Sequence, residues 1–268
     1  MNTYQMMICP DDPGTAGRIT PQKSITITEN GSYNVSPDSG YNGIAGVDID
    51  VDVDVKNILN LSKGITFAYS KKDAENYKVI NADKITDLSN FFEYTQMEQF
   101  DLSIFTGELT AIHDVFSHSS LIDFSGVRDW DVSRVTNLRY CFYYSKCRSL
   151  DLTKWDVSNV EIMDNCFNNM NYIQVLDLST WRTPKLSSLN DVFQSCTSLV
   201  SLDISNFTIK NEFPSYTKIF SYCGELKEVK VINCDPVTKQ RILDQLKKSY
   251  GLSSYTWTLG DDGIIRRS

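Results

Sequence analysis

Phenylalanine returns at a nearly fixed interval along the middle of this chain. Phe92, Phe116, Phe142, Phe167, Phe193 and Phe220 are separated by 24, 26, 25, 26 and 27 residues. The neighbours of each Phe repeat with it. Seven residues earlier stand Ile85, Leu109, Val135, Val160, Leu186 and Phe213. Four earlier stand Leu88, Ile112, Leu138, Met163, Leu189 and Tyr216, and one earlier Phe91, Val115, Cys141, Cys166, Val192 and Ile219. A fixed period in this range marks stacked units, none of which can bury its own apolar face alone. The expected fold class is therefore an α/β repeat solenoid of about six repeats, spanning residues 85–232.

Within a unit, apolar residues three and four apart share one face of a helix, so each repeat is expected to open with a short amphipathic helix. Small residues follow three past the Phe: Thr95, Ser119, Ser145, Cys196 and Cys223, with Met170 the exception. Short strands come next, each built around an Asp-apolar-Ser/Thr triplet. These triplets start at Asp101, Asp123, Asp151, Asp177 and Asp203, and an aromatic sits four past the Asp at Phe105, Trp155, Trp181 and Phe207. The second repeat departs: Asp123 comes early and Trp130 late around a Gly126-Val127-Arg128 turn.

The run Trp155-Asp156-Val157-Ser158-Asn159-Val160, Met163 and Phe167, then Cys196-Thr197-Ser198-Leu199 and Leu202-Asp203-Ile204-Ser205, resembles the BspA-like leucine-rich repeats of bacterial surface proteins. The resemblance covers about residues 84–230 and implies a right-handed leucine-rich solenoid used in adhesion. Arg182-Thr183-Pro184 departs from it, as does Lys230 in place of the last Asp.

The net charge of −8 argues against a nucleic acid or an anionic membrane as primary partner. No stretch reaches the roughly 20 apolar residues of a membrane span. The seven cysteines are an odd number, which argues against a complete disulfide framework, and four of them fall in core phase. No C-x-x-C occurs and there are only two histidines, His113 and His118, both read as surface residues, so no zinc site and no cofactor are expected. Residues 1–10 carry no Lys or Arg and do not read as a secretory signal.

Before the repeats, residues 1–18 read as an arm, 19–55 as an all-β module and 56–84 as linker and N-terminal cap. Asn30-Gly31 suits a tight hairpin after the alternating residues 24–28. Residues 47–55 alternate Val or Ile with Asp48, Asp50, Asp52 and Asp54. Carboxylates are the ligands calcium takes. A solvated strand face is the simpler account, since side chains on one strand face lie roughly 7 Å apart. Packing of the Val face against other copies is the third reading. The strings 25–33, 37–44 and 47–51 resemble a short β module of bacteriophage tail and fibre proteins. That resemblance implies anchoring to other virion proteins, release by lysis without a signal peptide and, by analogy, a homotrimer.

Residues 233–268 read as a helix-hairpin cap: Asp235-Pro236 opens a helix, Ile242, Leu243, Leu246 and Tyr250 form its stripe, and Gly251 ends it.

No nucleophile, base or phosphate-loop pattern stands out, so a non-enzymatic protein is expected. Two ladders carry the functional interest. Asp101, Asp123, Asp151, Asp177 and Asp203 would either accept backbone N–H groups of adjoining turns or form an acidic strip for a partner. Phe105, Trp130, Trp155, Trp181 and Phe207 would be either core edges or a sugar-stacking platform. The expected function is a phage virion structural protein, a fibre or appendage of tail or head, whose repeats bind a host-surface glycan or protein. A bacterial cell-surface BspA-like adhesin is the alternative, and a glycan depolymerase has no residue in its favour.

Overall fold

The structure is a computed structural model. It describes residues 86–93, 98–210 and 218–268 in full and, before them, the backbone of seven strands. Ile85, Thr95, Phe213, Tyr216, Cys9, Asp52, Asp54 and the Asn30-Gly31 pair lie outside the described residues.

The seven strands are β1 (Asn2–Met7), β2 (Lys23–Ile27), β3 (Ser32–Val35), β4 (Val47–Val51), β5 (Asn57–Leu61), β6 (Thr66–Phe67) and β7 (Tyr77–Ile80). They form two sheets, ordered β2-β4-β1-β6 and β3-β5-β7. The alternating Val/Asp strand β4 is central, parallel to β2 and antiparallel to β1. The hairpin expected at Asn30-Gly31 is not made by these strands, because β2 pairs with β4 while β3 pairs in parallel with β5. Asn-Gly permits a tight turn, but long-range partners decide which strands pair. Strand pairing also crosses the boundaries read after residues 18 and 55: β1 pairs with β4 and β6, and β3 with β5.

From residue 86 onward the 24–27-residue phase governs burial. Every described residue at the Phe position, and at one, four and seven before it, is buried, with Leu189 the most exposed at 7%. The Phe rings form one column, with consecutive centroids 5.6, 5.4, 5.6, 5.7 and 5.9 Å apart from Phe92 to Phe220.

The expected amphipathic helices are absent from the described repeats. In their place runs a coil of overlapping turns. In the third repeat Cys141, Tyr143 and Ser145 donate their N–H to carbonyls three residues back, on Leu138, Tyr140 and Phe142. The alternate residues Leu138, Tyr140, Phe142 and Tyr144 donate to Ile162, Asp164, Cys166 and Asn168 of the next repeat, at 2.8–3.1 Å. The second and fourth repeats follow the same alternation. Two turns per repeat carry a positive φ at their third residue, as type II turns require. These residues sit two before and two after the Phe: Asp114 and His118, Tyr140 and Tyr144, Asn165 and Asn169, Asp191 and Ser195. The coil returns to one face every three or four residues, as a helix does, which is why the periodicity reads as helical. Unlike a helix, it points half its N–H groups sideways and needs a neighbouring repeat to satisfy them.

The far side of each repeat carries short strands or 3-10 turns. β8 (Val175–Asp177), β9 (Ser201–Asp203) and β10 (Glu228–Lys230) are parallel neighbours, paired Asp177 to Asp203 to Lys230. Helix α1 (Pro236–Lys248) follows. The Asp235 carboxylate accepts from Val237 N (2.9 Å) and Thr238 N (3.0 Å), capping its first turn. The helix buries Ile242, Leu243 and Leu246. Tyr250, placed on the same stripe by the sequence, instead lies beyond the helix end and is 68% exposed. Strands β11 (Trp257–Leu259) and β12 (Ile264–Arg267) form a hairpin whose β12 continues the sheet antiparallel to β10. Gly263 has φ +74° and lies so near the chain that an added Cβ would be 2.7 Å from Ile232 Cα.

Candidate binding surfaces

The aromatic row is core. Phe105, Trp130, Trp155, Trp181 and Phe207 are at most 3% exposed, so the sugar platform is not available on these rings. The indoles lie 6.4 and 6.1 Å apart, nearly parallel, and each donates its N–H to a carbonyl of the preceding repeat. Trp130 donates to Leu102 O (2.8 Å), Trp155 to Val127 O (2.7 Å) and Trp181 to Leu152 O (3.1 Å). Cys234 closes the row by donating its thiol to Ile204 O (3.2 Å).

These bonds fix the register of the second repeat. Val127 stands where Leu102 and Leu152 stand, so Gly126, not Asp123, takes the place of the Asp, and Trp130 is four past it in the regular way. The change has a steric basis: a Cβ at Gly126 would lie 2.5 Å from Ser103 N and 2.8 Å from Leu102 C. The column therefore reads Asp101, Gly126, Asp151, Asp177, Asp203 and Lys230. It is not an unbroken acidic strip. Arg128 Nε is 3.2 Å from the Asp151 carboxylate, and Lys230 Nζ is 3.9 Å from that of Asp203.

Each of these carboxylates is engaged locally. Asp101, Asp151, Asp177 and Asp203 accept the N–H two residues on, from Ser103, Thr153, Ser179 and Ser205, at 2.9–3.1 Å. Asp123, off the column, does the same with Ser125 at 2.9 Å. These side-chain turns explain the Asp-x-Ser/Thr triplet without a ligand. The backbone N–H of Ser125 holds the Asp123 carboxyl below its ordinary range, and the Thr153 hydroxyl and N–H do so for Asp151.

The six described cysteines are buried thiols. Cys141, Cys147, Cys166, Cys196, Cys223 and Cys234 are free and at most 6% exposed. Cys196 and Cys223 donate to the Phe carbonyl of the preceding repeat, Phe167 O (2.9 Å) and Phe193 O (3.0 Å). Burial pushes the Cys147 thiol up to about 12 and that of Cys234 to about 11. Among the described residues no group of three His, Cys, Asp or Glu could hold a metal.

The surface that the sequence reading missed lies on the turn coil. His118 stacks on Tyr144 (4.8 Å, 11°), and Tyr143 meets His118 edge-on at 5.2 Å and Tyr144 at 4.6 Å. Tyr140 lies 5.0 Å from Tyr143, with the Arg139 guanidinium 4.9 Å over its ring. Tyr144 is 43% exposed. Burial lowers the His118 imidazole below its usual value, with Asp114 pulling it partly back. The available signal was the string Arg139-Tyr140-Cys141-Phe142-Tyr143-Tyr144, whose middle two residues are buried while Arg139 and Tyr144 are exposed and Tyr140 and Tyr143 half-buried.

These features define a stack of turn-and-strand units with buried aromatic columns and, among the described residues, exposed tyrosines at Tyr144, Tyr172, Tyr222, Tyr250 and Tyr255. Of these, Tyr144 belongs to the Tyr140, Tyr143 and His118 cluster, and Tyr222 pairs with Tyr250 at 5.0 Å. Residues 110–231 match the family described as Mycoplasma protein of unknown function, DUF285. Neither the curated proteins nor the solved structures include a match to this chain.

Proposed function

We propose that residues 85–232 form a leucine-rich-type solenoid closed at its C-terminal end by residues 233–268. On this reading the chain is a structural, non-catalytic protein of a bacteriophage virion, a fibre or appendage of tail or head. Its N-terminal strands anchor it to other virion proteins and its repeats meet a host-surface glycan or protein. The observation that carries the reading is the division of the chain: seven strands in two sheets before residue 81, then a stack with its own phase and its own buried column. Such a division separates attachment from display. Mass spectrometry of purified phage particles tests it. The chain is expected at a fixed copy number per particle, and its absence from particles would reject the virion role. The second reading, a bacterial cell-surface adhesin of the BspA-like kind, draws support from the match to a Mycoplasma family over residues 110–231. It predicts recovery of the chain from the surface fraction of cells that carry no phage.

A further inference from the structure

We propose that the turn face of the third repeat is the ligand-binding surface of the stack, and that its ligand is a carboxylate-bearing glycan. The proposal rests on the reading of the repeats as the part that meets a host surface.

The first observation is backbone strain. Tyr140 and Tyr144 both have φ +54°. A left-handed conformation is unfavourable for a residue with a Cβ, least so for Asn and Asp. The matching positions elsewhere hold Asn90, Asp114, Asn165, Asn169 and Asp191, and also His118, Ser195 and Tyr222. The third repeat alone has a bulky tyrosine at both of its left-handed positions. Core burial does not offset the cost, because Tyr144 is 43% exposed. Strain of this kind persists at binding sites, where the displayed side chain is the reason for it.

The second observation is local charge. Between Asp131 and Asp151 the chain holds Arg134, Arg139, Lys146 and Arg148 and no acid, within a protein of net charge −8. Arg134 is taken by Glu108 (3.1 Å). Arg139 lies over the Tyr140 ring, and the backbone N–H of Lys146 donates to Ser119 O in the repeat that supplies His118. Of the nearby acids, Asp114 faces His113 Nδ1 (3.3 Å) and Asp164 is held by Ser188 Oγ (2.6 Å) and Asn190 N (2.7 Å), so neither carboxylate is paired with Arg139.

The exposed Tyr144 and the half-buried Tyr140 and Tyr143 offer flat apolar faces for the C–H side of a pyranose and hydroxyls for its polar edge. The Arg139 fork suits a single carboxylate, which it can bind with two parallel hydrogen bonds. A nucleic acid presents a dense row of phosphates instead, and the acidic remainder of the chain repels it.

The test uses the full chain and a glycan array of uronate-bearing, sialate-bearing and neutral oligosaccharides. Single-stranded DNA and vesicles of anionic lipid serve as competing probes. Wild type is expected to bind an acidic glycan above its neutral counterpart. The double variant Tyr140→Asn/Tyr144→Asn places Asn where the next repeat already has Asn165 and Asn169, so its Tm is expected to hold or rise while affinity falls at least about 10-fold, the ~1.4 kcal/mol scale of one lost stacking contact. Arg139→Gln is expected to abolish the preference for acidic over neutral sugar. Retained affinity in the double variant, no glycan bound by wild type, or binding to DNA or vesicles alone each overturns the proposal. Adsorption to host cells separates this from the broader reading. If both proteins adsorb equally, the repeats still bind a host and the tyrosine face is wrong; if neither adsorbs, the broader reading fails as well.

Discussion

Stacked repeats should be coupled through their nearest neighbours, and the Phe column allows that coupling to be measured. Phe142 and Phe167 are fully buried, with ring centroids 5.6 Å apart and planes 5° from parallel. Replacing either by Leu keeps most of the volume and costs about 1–1.5 kcal/mol. An aromatic pair contributes about 0.5–1.5 kcal/mol beyond its buried area. Either single variant loses this term, but the double variant cannot lose it twice. The double should therefore be less destabilised than the sum of the singles by about 0.5–1.5 kcal/mol. Phe92 and Phe193 provide the control, since Phe116, Phe142 and Phe167 stand between them in the column. Their Leu variants should add within about 0.3–0.5 kcal/mol. Urea unfolding followed by tryptophan fluorescence measures all six variants, provided the m-values agree. Additivity for Phe142 and Phe167, or equal coupling in the distant pair, would refute neighbour-to-neighbour stacking.

Four further outcomes follow from single sites. Gly126→Ala should destabilise by about 1–3 kcal/mol through its contact with Ser103 and Leu102, while Gly224→Ala, with nothing within 4 Å of the new Cβ, should change stability by less than ~0.5 kcal/mol; thermal melts of the two compare them directly. All four tryptophans are at most 3% exposed, so acrylamide should quench the native protein poorly and the urea-unfolded protein well; ready native quenching would put the indole row in solvent. At pH 8 iodoacetamide should leave Cys147 unlabelled until the protein unfolds, because burial holds its thiol near 12, and prompt native labelling seen by peptide mass spectrometry would contradict that burial. Hydrogen bonds lower the carboxyls of Asp123, Asp151 and Asp156 in the folded state, so their contribution is present above the unfolded value of about 3.9 and lost as pH falls through the folded values. Tm should therefore be flat down to about pH 5 and drop below about pH 4, and a Tm that rises on acidification would reverse the assigned sign.

The phase of the stack was legible because burial repeats with it: a residue's distance from the nearest Phe tells whether it points inward. The backbone that carries the phase was not legible from apolar spacing. A turn coil and a helix both return to one face every three or four residues. The distinguishing mark was polar: Asn90, Asp114, Asn165, Asn169 and Asp191, five of the ten left-handed non-glycine residues described, are Asn or Asp, which tolerate that conformation best. Tyr140 and Tyr144, with His118, Ser195 and Tyr222, hid that mark, and the paired tyrosines of the third repeat are what point to a surface. The second repeat misled for a different reason. Asp123-Phe124-Ser125 copies the triplet, yet Trp130 four past Gly126 held the true register. The pairing of β2 and β3 with different strands could not be read from Asn30-Gly31, since local turn chemistry does not say which distant strand competes for an edge.

Adsorption bears most directly on the function. On the proposed virion reading, the full chain, added in excess to host cells before infection, should bind them saturably and block attachment of the phage. Full attachment in the presence of saturating protein, or no binding to the cells at all, would contradict a stack that displays a host-binding surface.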